Sequence, residues 1–124
     1  MLINEVARIA GMSKDEIRHY EAMGLISSSA RQAGSRVYRD YDLAVLETIE
    51  QVRQAKSLGF SLKEIQPLLK AYGSATLTAG QTVDFLKQRL SVIRTKQEEF
   101  RQIEAFICSK LDRYRQLALA EASS

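Results

Sequence analysis

The sequence predicts a mainly α-helical chain: a small helical head carrying one two-stranded hairpin, followed by a single long helix. Three observations lead there. Its 124 residues include one proline, no tryptophan and six glycines, so helix breakers are few. Apolar residues recur at intervals of three and four through most of the chain. The rhythm lapses around residues 31–39, where Ala33-Gly34-Ser35 is a turn signal beside the strand formers Val37 and Tyr38.

The chain can hold one modest core, or a small domain plus an extended element, but not a catalytic domain added to a binding domain. Its net charge of +3 permits a polyanionic partner without demanding one. Residues 1–70 carry ten basic side chains against nine acidic, so a nucleic-acid-facing surface must come from arrangement and not from bulk charge. Cys108 is the single cysteine, which excludes a disulfide within one chain and fits a reducing cytoplasm. The start MLINEVARIAG lacks a basic lead-in, and no stretch approaches the roughly 18 apolar residues of a membrane span. A cytoplasmic protein with no membrane partner is expected.

Taken in order, Ile3, Val6, Ala7 and Ala10 fall at helical spacing, and Gly11 ends that helix. Ser13-Lys14-Asp15-Glu16 has the Ser-x-x-Glu form in which hydroxyl and carboxylate each satisfy the other's backbone N–H, so a second helix starts at once. Ile17, Tyr20 or Ala22, and Leu25 form its inward face, leaving Lys14, Arg18 and His19 outward. Such a helix-turn-helix presents its second helix to a DNA groove. Gly24 ends it, a serine loop follows, and the hairpin carries Arg31, Arg36 and Arg39, whose guanidinium groups suit phosphate oxygens. A hairpin placed there is a wing.

Asp40 or Asp42 is positioned to cap a third helix, Leu43 to Ser57, with Leu43, Leu46, Ile49, Val52 and Ala55 or Lys56 inward. Gly59 stops it. Ser61-Leu62-Lys63-Glu64 opens a fourth helix in the same Ser-x-x-Glu form, with Leu62, Ile65, Leu68 and Leu69 inward. Pro67 lies too deep for a first-turn proline, and a kink or a split is expected there. Thr78-Ala79-Gly80-Gln81 starts the last helix near Ala79. Its seam is Val83, Leu86, Leu90, Ile93, Gln97, Phe100, Glu104, Ile107, Leu111, Tyr114 and Ala118, a 3-4 repeat over five heptads. A helix with one such stripe wants a partner helix, and Gln97 and Glu104 are polar interruptions of the kind that fix register.

The segments INEVARIAGMSKDEIRHYEAMGLI, GSRVYRDYDLAVL and QAKSLGFSLKEI, in that order, resemble the N-terminal domain of the MerR family of bacterial transcription regulators. The resemblance runs from Ile3 to Leu69, and the long helix extends it. It implies a winged helix-turn-helix head and an antiparallel dimeric coiled coil formed by the long helix. The expected organisation is a head over 1–73 with its wing at about 31–39, a linker at 74–80, a dimerisation segment at 81–119 and a tail at 120–124. The resemblance also implies a homodimer bound to a pseudo-palindromic site in double-stranded promoter DNA. It implies that the dimer distorts the promoter spacer so that RNA polymerase engages both elements.

Carried onto this chain, the resemblance makes Arg18, His19 and Tyr20 the exposed signature of the recognition helix, with Arg36 and Tyr38 in the wing. With Ser13, Lys14 and Arg39 these form the expected DNA-binding set. Two positions depart from the family pattern. His19 stands where an aromatic is common and Ser35 where a tyrosine is common; a histidine can still donate to phosphate, more strongly below about pH 6.5. The expected dimer contacts are Leu86, Leu90, Ile93, Gln97, Phe100, Ile107 and Leu111.

Metal-sensing members of the family use cysteines flanking the long helix, and here the linker offers Thr76, Thr78 and Gln81 while the tail reads RYRQLALAEASS. No metal site and no cofactor is expected. Cys108 is expected as a small buried hydrophobe, with a thiol sensor as the alternative. The effector is left open: Tyr72, Phe85, Phe100, Phe106 and Tyr114 could line a small cavity for an organic molecule, residues at helical spacing are more often core, and a constitutive regulator without a ligand fits as well. The competing function is an architectural or protein-interaction adaptor built from the same head and coiled coil. No paired carboxylates, nucleophile-base set or phosphate-binding glycine loop stands at meaningful spacing, so no enzyme is expected.

Overall fold

The structure, a computed structural model, describes residues 1–73 and 75–124. It comprises two units, Met1–Thr76 and Leu77–Ser124. In the first unit α1 (Ile3–Ala10) and α2 (Lys14–Ala22) are followed by an antiparallel hairpin of β1 (Ser29–Ala33) and β2 (Arg36–Asp40), then α3 (Ala44–Ser57) and α4 (Leu62–Tyr72). The second unit is one helix, α5 (Ala79–Ser123).

The head's core draws on each of its helices. Val6 and Ala10 come from α1, Ile17 and Tyr20 from α2, Ile49 and Val52 from α3 and Ile65 from α4, closed by Met12, Leu25, Ile26, Tyr41 and Val45. Helices of this length are marginal alone in water, so this shared burial holds them. The hairpin contributes nothing to it. β1 is exposed throughout, and an isolated two-stranded hairpin is barely stable. Its base is instead stitched to the start of the chain: the Met1 ammonium donates to Asp40 Oδ1 at 2.8 Å and to the Tyr41 carbonyl at 2.7 Å, and the Tyr41 amide donates to the Met1 carbonyl at 2.7 Å.

Several expectations are corrected. Leu43 is 71% exposed, and Val45 takes the inward position at the start of α3. The hydrophobic phase is set by Val45, Ile49 and Val52, so Leu43 falls on the outer side. Asp42 serves this helix by accepting from the Ala44 amide at 2.9 Å. Pro67 does not split α4, which runs as one helix. Pro67 and Lys63 are both exposed, so water can satisfy the carbonyl that loses its donor.

At 45 residues α5 is roughly 68 Å long. The expected cap is present: Thr78 Oγ1 accepts from the Gln81 amide at 3.1 Å, and the Thr78 amide donates to Gln81 Oε1 at 2.9 Å. Ala79 and Gly80, assigned to the linker at 74–80, are already helical; Ser74 of that linker lies outside the described residues. The expected tail at 120–124 is also helical as far as Ser123, because alanine, leucine and glutamate continue a helix with nothing to stop it. Cys108, next to Ile107 of the seam, is exposed in the single chain.

Candidate nucleic-acid interface

The turn between α1 and α2 is three residues, Gly11, Met12 and Ser13. Gly11 adopts φ +65°, which an L side chain would resist, and its amide donates to the Ala7 carbonyl. The Arg53 guanidinium of α3 donates to the Ala10 carbonyl, so the end of α1 is capped from across the head. Ser13 then starts α2. Its hydroxyl accepts from the Glu16 amide at 3.1 Å while the Ser13 amide donates to Glu16 Oε1 at 3.2 Å. That backbone bond, more than any other influence, holds the Glu16 carboxyl below its ordinary range, with the Ser13 hydroxyl second.

Ile17 and Tyr20 turn α2 inward; Lys14, Asp15, Arg18 and His19 are exposed. Tyr20, counted in the exposed signature, is therefore corrected. It is 4% exposed and belongs to the core, because it stands one turn after Ile17 on the same stripe. Arg18 Nη1 pairs with Asp15 Oδ1 at 3.2 Å, an exposed pair of little net stability. Ser13 is exposed, with its hydroxyl already engaged as the cap.

In the wing Arg31 pairs with Tyr38, Ala33 with Arg36 and Ala30 with Arg39. Because paired residues share a face and neighbours alternate, Arg31, Arg36, Tyr38 and Asp40 lie on one face, and Arg39 with Val37 on the other. The wing arginines are thus divided. Arg31 Nη1 reaches Asp40 Oδ2 at 3.1 Å, and Asp40, held by the Met1 ammonium first and by Arg31 as well, keeps its carboxyl below the ordinary range.

Recognition helix and wing meet in a cleft of about 420 Å³ lined by Leu2, Ile3, Asn4, Arg18, Glu21, Tyr38, Arg39 and Tyr41. It brings together three expected residues, Arg18, Tyr38 and Arg39. Lys14, His19 and Arg36 stand outside it. Sequence reasoning missed the three residues that join the parts, Glu21, Ser28 and Tyr41: the Tyr41 phenol donates to Glu21 Oε2 at 2.8 Å, and the Ser28 hydroxyl donates to Glu21 Oε1. Burial, and then this bond to Glu21, raise the Tyr41 phenol above its ordinary range, so it stays a donor. Nothing local flags them, since the contacts span seven and twenty residues.

On α5 the expected dimer contacts Leu86, Leu90, Phe100, Ile107 and Leu111 are all exposed, Phe100 at 69%, as is Gln97, while Ile93 is half-buried. Of the aromatic set proposed for an organic effector, Tyr72, Phe100, Phe106 and Tyr114 are exposed and Phe85 is half-buried.

Comparison with known proteins gives this arrangement its family. Residues 1–72 match the family described as "MerR HTH family regulatory protein", and residues 46–107 match "MerR, DNA binding". The chain is 32% identical over 105 residues to an uncharacterized HTH-type transcriptional regulator of Synechocystis, spanning 84% of this chain and 74% of that one. It is 29% identical over 111 residues to the mercuric resistance operon regulatory protein of Bacillus cereus, spanning 90% and 83%. Among solved structures it is similar to the lead(II) complex of the transcription regulator PbrR691 from Ralstonia metallidurans, with a TM-score of 0.65 at 28% identity over 88% of this chain and 83% of that one. With its head, its wing and the first part of α5 all matched, the chain belongs to the MerR family of helix-turn-helix DNA-binding transcriptional regulators.

Proposed function

We propose that this regulator acts as a homodimer on a pseudo-palindromic promoter site, with α5 of each copy packed antiparallel against the other. The observation that carries this is the seam of α5, whose large apolar residues repeat at 3-4 spacing and stand exposed along the helix. A two-fold dimer sets the distance between two copies of α2 and so demands matched half-sites. Lys14, Arg18, Arg36 and Arg39 neutralise phosphates, His19 and Tyr38 add contacts to the backbone, and Ser13 orders the turn that aims α2. Tyr20 has no part in contact. Distortion of the spacer between promoter elements, read through the deformability of uncontacted steps, lets RNA polymerase engage both.

The reading is of a cytoplasmic binding protein with no catalytic step. Among the described residues no helix is long and apolar enough to cross a membrane. Regulators of metal response stand among its relatives, but the donors here do not fit a soft metal. Cys108 is the one thiol, and among the described residues no three His, Cys, Asp or Glu side chains gather to hold an ion.

The test is titration of the purified protein against a fluorescent duplex of its own upstream region and a scrambled duplex, at two salt concentrations, with sedimentation of free protein and complex. Selective binding by a dimer, weakening steeply with salt, is the expected result. Equal weak binding to both duplexes would overturn the promoter reading in favour of an adaptor, and a monomer would overturn the role given to α5.

A further inference from the structure

Recognition helix and wing are joined at one carboxylate. Glu21 lies in the last turn of α2. Ser28 stands just before β1 and donates its hydroxyl to Glu21 Oε1; Tyr41 stands just after β2 and donates its phenol to Oε2 at 2.8 Å. Each leg of the hairpin is therefore tied by one hydroxyl to one oxygen of the same side chain. No residue of β1 is buried, and within β2 only Tyr38 and Asp40 are even half-buried, so packing alone does not set how the hairpin leans on α2. Tyr41 is 2% exposed, which makes its phenol a fixed anchor and loss of its acceptor costly. Glu21 also lines the cleft that holds Arg18, Tyr38 and Arg39. A free carboxylate there would repel phosphate, but both oxygens are engaged as acceptors within the protein.

We propose that Glu21 is a positioning residue for DNA binding: it clamps both legs of the wing to the recognition helix, so that Arg18 from the helix and Arg39 from the wing reach the same stretch of nucleic-acid backbone. It touches no DNA itself. The role rests on the reading of the head as the DNA-binding part. The physical reason is preorganisation: a wing free to swing loses entropy on binding, and its arginines return less affinity for each contact made.

The test uses the full chain and a thermodynamic cycle. Glu21→Ala, Arg39→Ala, Arg18→Ala and their combinations are titrated against the protein's own upstream duplex, with helix content and sedimentation checked for each. The expected result is about a tenfold loss for Glu21→Ala with fold and assembly intact. Arg39→Ala should then cost little more in the Glu21→Ala background, while Arg18→Ala keeps its full cost there. Ser28→Ala with Tyr41→Phe, which leaves the carboxylate in place, should reproduce the loss and the same coupling. Strict additivity of Glu21→Ala with Arg39→Ala would overturn the proposal, as would unchanged affinity.

A second readout needs no DNA and keeps the two readings apart. Hydrogen exchange of the backbone amides of residues 29–33 and 36–40 should quicken in Glu21→Ala while that of the α1 and α3 core amides stays unchanged. Unchanged exchange in the hairpin would overturn the clamp even in a protein that binds its promoter well. Quickened exchange in a protein with no sequence preference would leave the clamp standing and overturn the promoter reading instead.

Discussion

Two serines in this head occupy the same local geometry, and replacing each with alanine separates a stability role from a binding role. In the Ser13 box the two reciprocal hydrogen bonds measure 3.1 and 3.2 Å; in the Ser61 box they measure 3.2 and 3.0 Å. Ser13→Ala and Ser61→Ala should therefore cost about the same, roughly 1 kcal/mol within a range of about 0.5–2. For a head of this size that lowers the midpoint of thermal unfolding by about 4–8 °C, read by circular dichroism. Binding should separate them. α2 has nine residues and is the helix offered to DNA, so fraying its first turn disorders Lys14 and Arg18, whereas α4 carries none of the expected contacts. Affinity for the upstream duplex, measured well below either midpoint, should fall about fivefold for Ser13→Ala and stay within about twofold for Ser61→Ala. Equal losses of affinity would refute the special place given to α2. Unchanged midpoints in both variants would refute the energetic role of the caps. Because the Glu16 carboxyl is depressed, its contribution is present above its unfolded pKa and lost as pH falls through the folded value. Glu16→Gln, which keeps an acceptor for the Ser13 amide but cannot titrate, should flatten that acid limb.

Other expectations concern the core, the wing base and the charge on α2. Ile65→Ala empties a position with no exposed surface and should cost about 2–5 kcal/mol in urea unfolding; a loss under about 1 kcal/mol would mean that α4 is not part of the cooperative unit. Asp40 also has a depressed carboxyl, so the link from the wing base to Met1 holds above the unfolded pKa and fails as pH drops through the folded one. Asp40→Asn should remove that part of the acid dependence, and an identical pH–stability profile would count against the link. Asp15 is 95% exposed beside Arg18, and Asp15→Ala should raise affinity for a scrambled duplex about two- to fivefold at low salt, with the gain shrinking as salt rises; weaker binding would show the pair to be needed as a unit.

What the sequence determined by itself is what short-range chemistry decides. The three capping boxes at Ser13, Ser61 and Thr78 were all legible, because hydroxyl and carboxyl or amide partners stand three residues apart and each box closes on its own backbone. The wing turn was legible from Gly34, which adopts φ +64° between the strands, and the long helix α5 from its 3-4 apolar rhythm. The order of elements followed from these local signals together, and the family from the resemblance of three segments of the head.

Tertiary structure decided which side each element shows. Tyr20 reads from the sequence both as a candidate for the inward face of α2 and as part of an exposed Arg-His-Tyr signature, and placing α2 on the core decides for the inward side, on the stripe begun by Ile17. Leu43 looks like the first inward residue of α3, but packing chooses the phase of Val45, Ile49 and Val52. The wing arginines lie within nine residues of sequence and are divided in space, because strand register puts Arg31 and Arg36 on one face and Arg39 on the other. Glu21 with Ser28 and Tyr41 lay furthest from view. Hydrogen bonds across seven and twenty residues exist only once the chain has folded back, and no local spacing rule encodes a carboxylate that receives both legs of a hairpin.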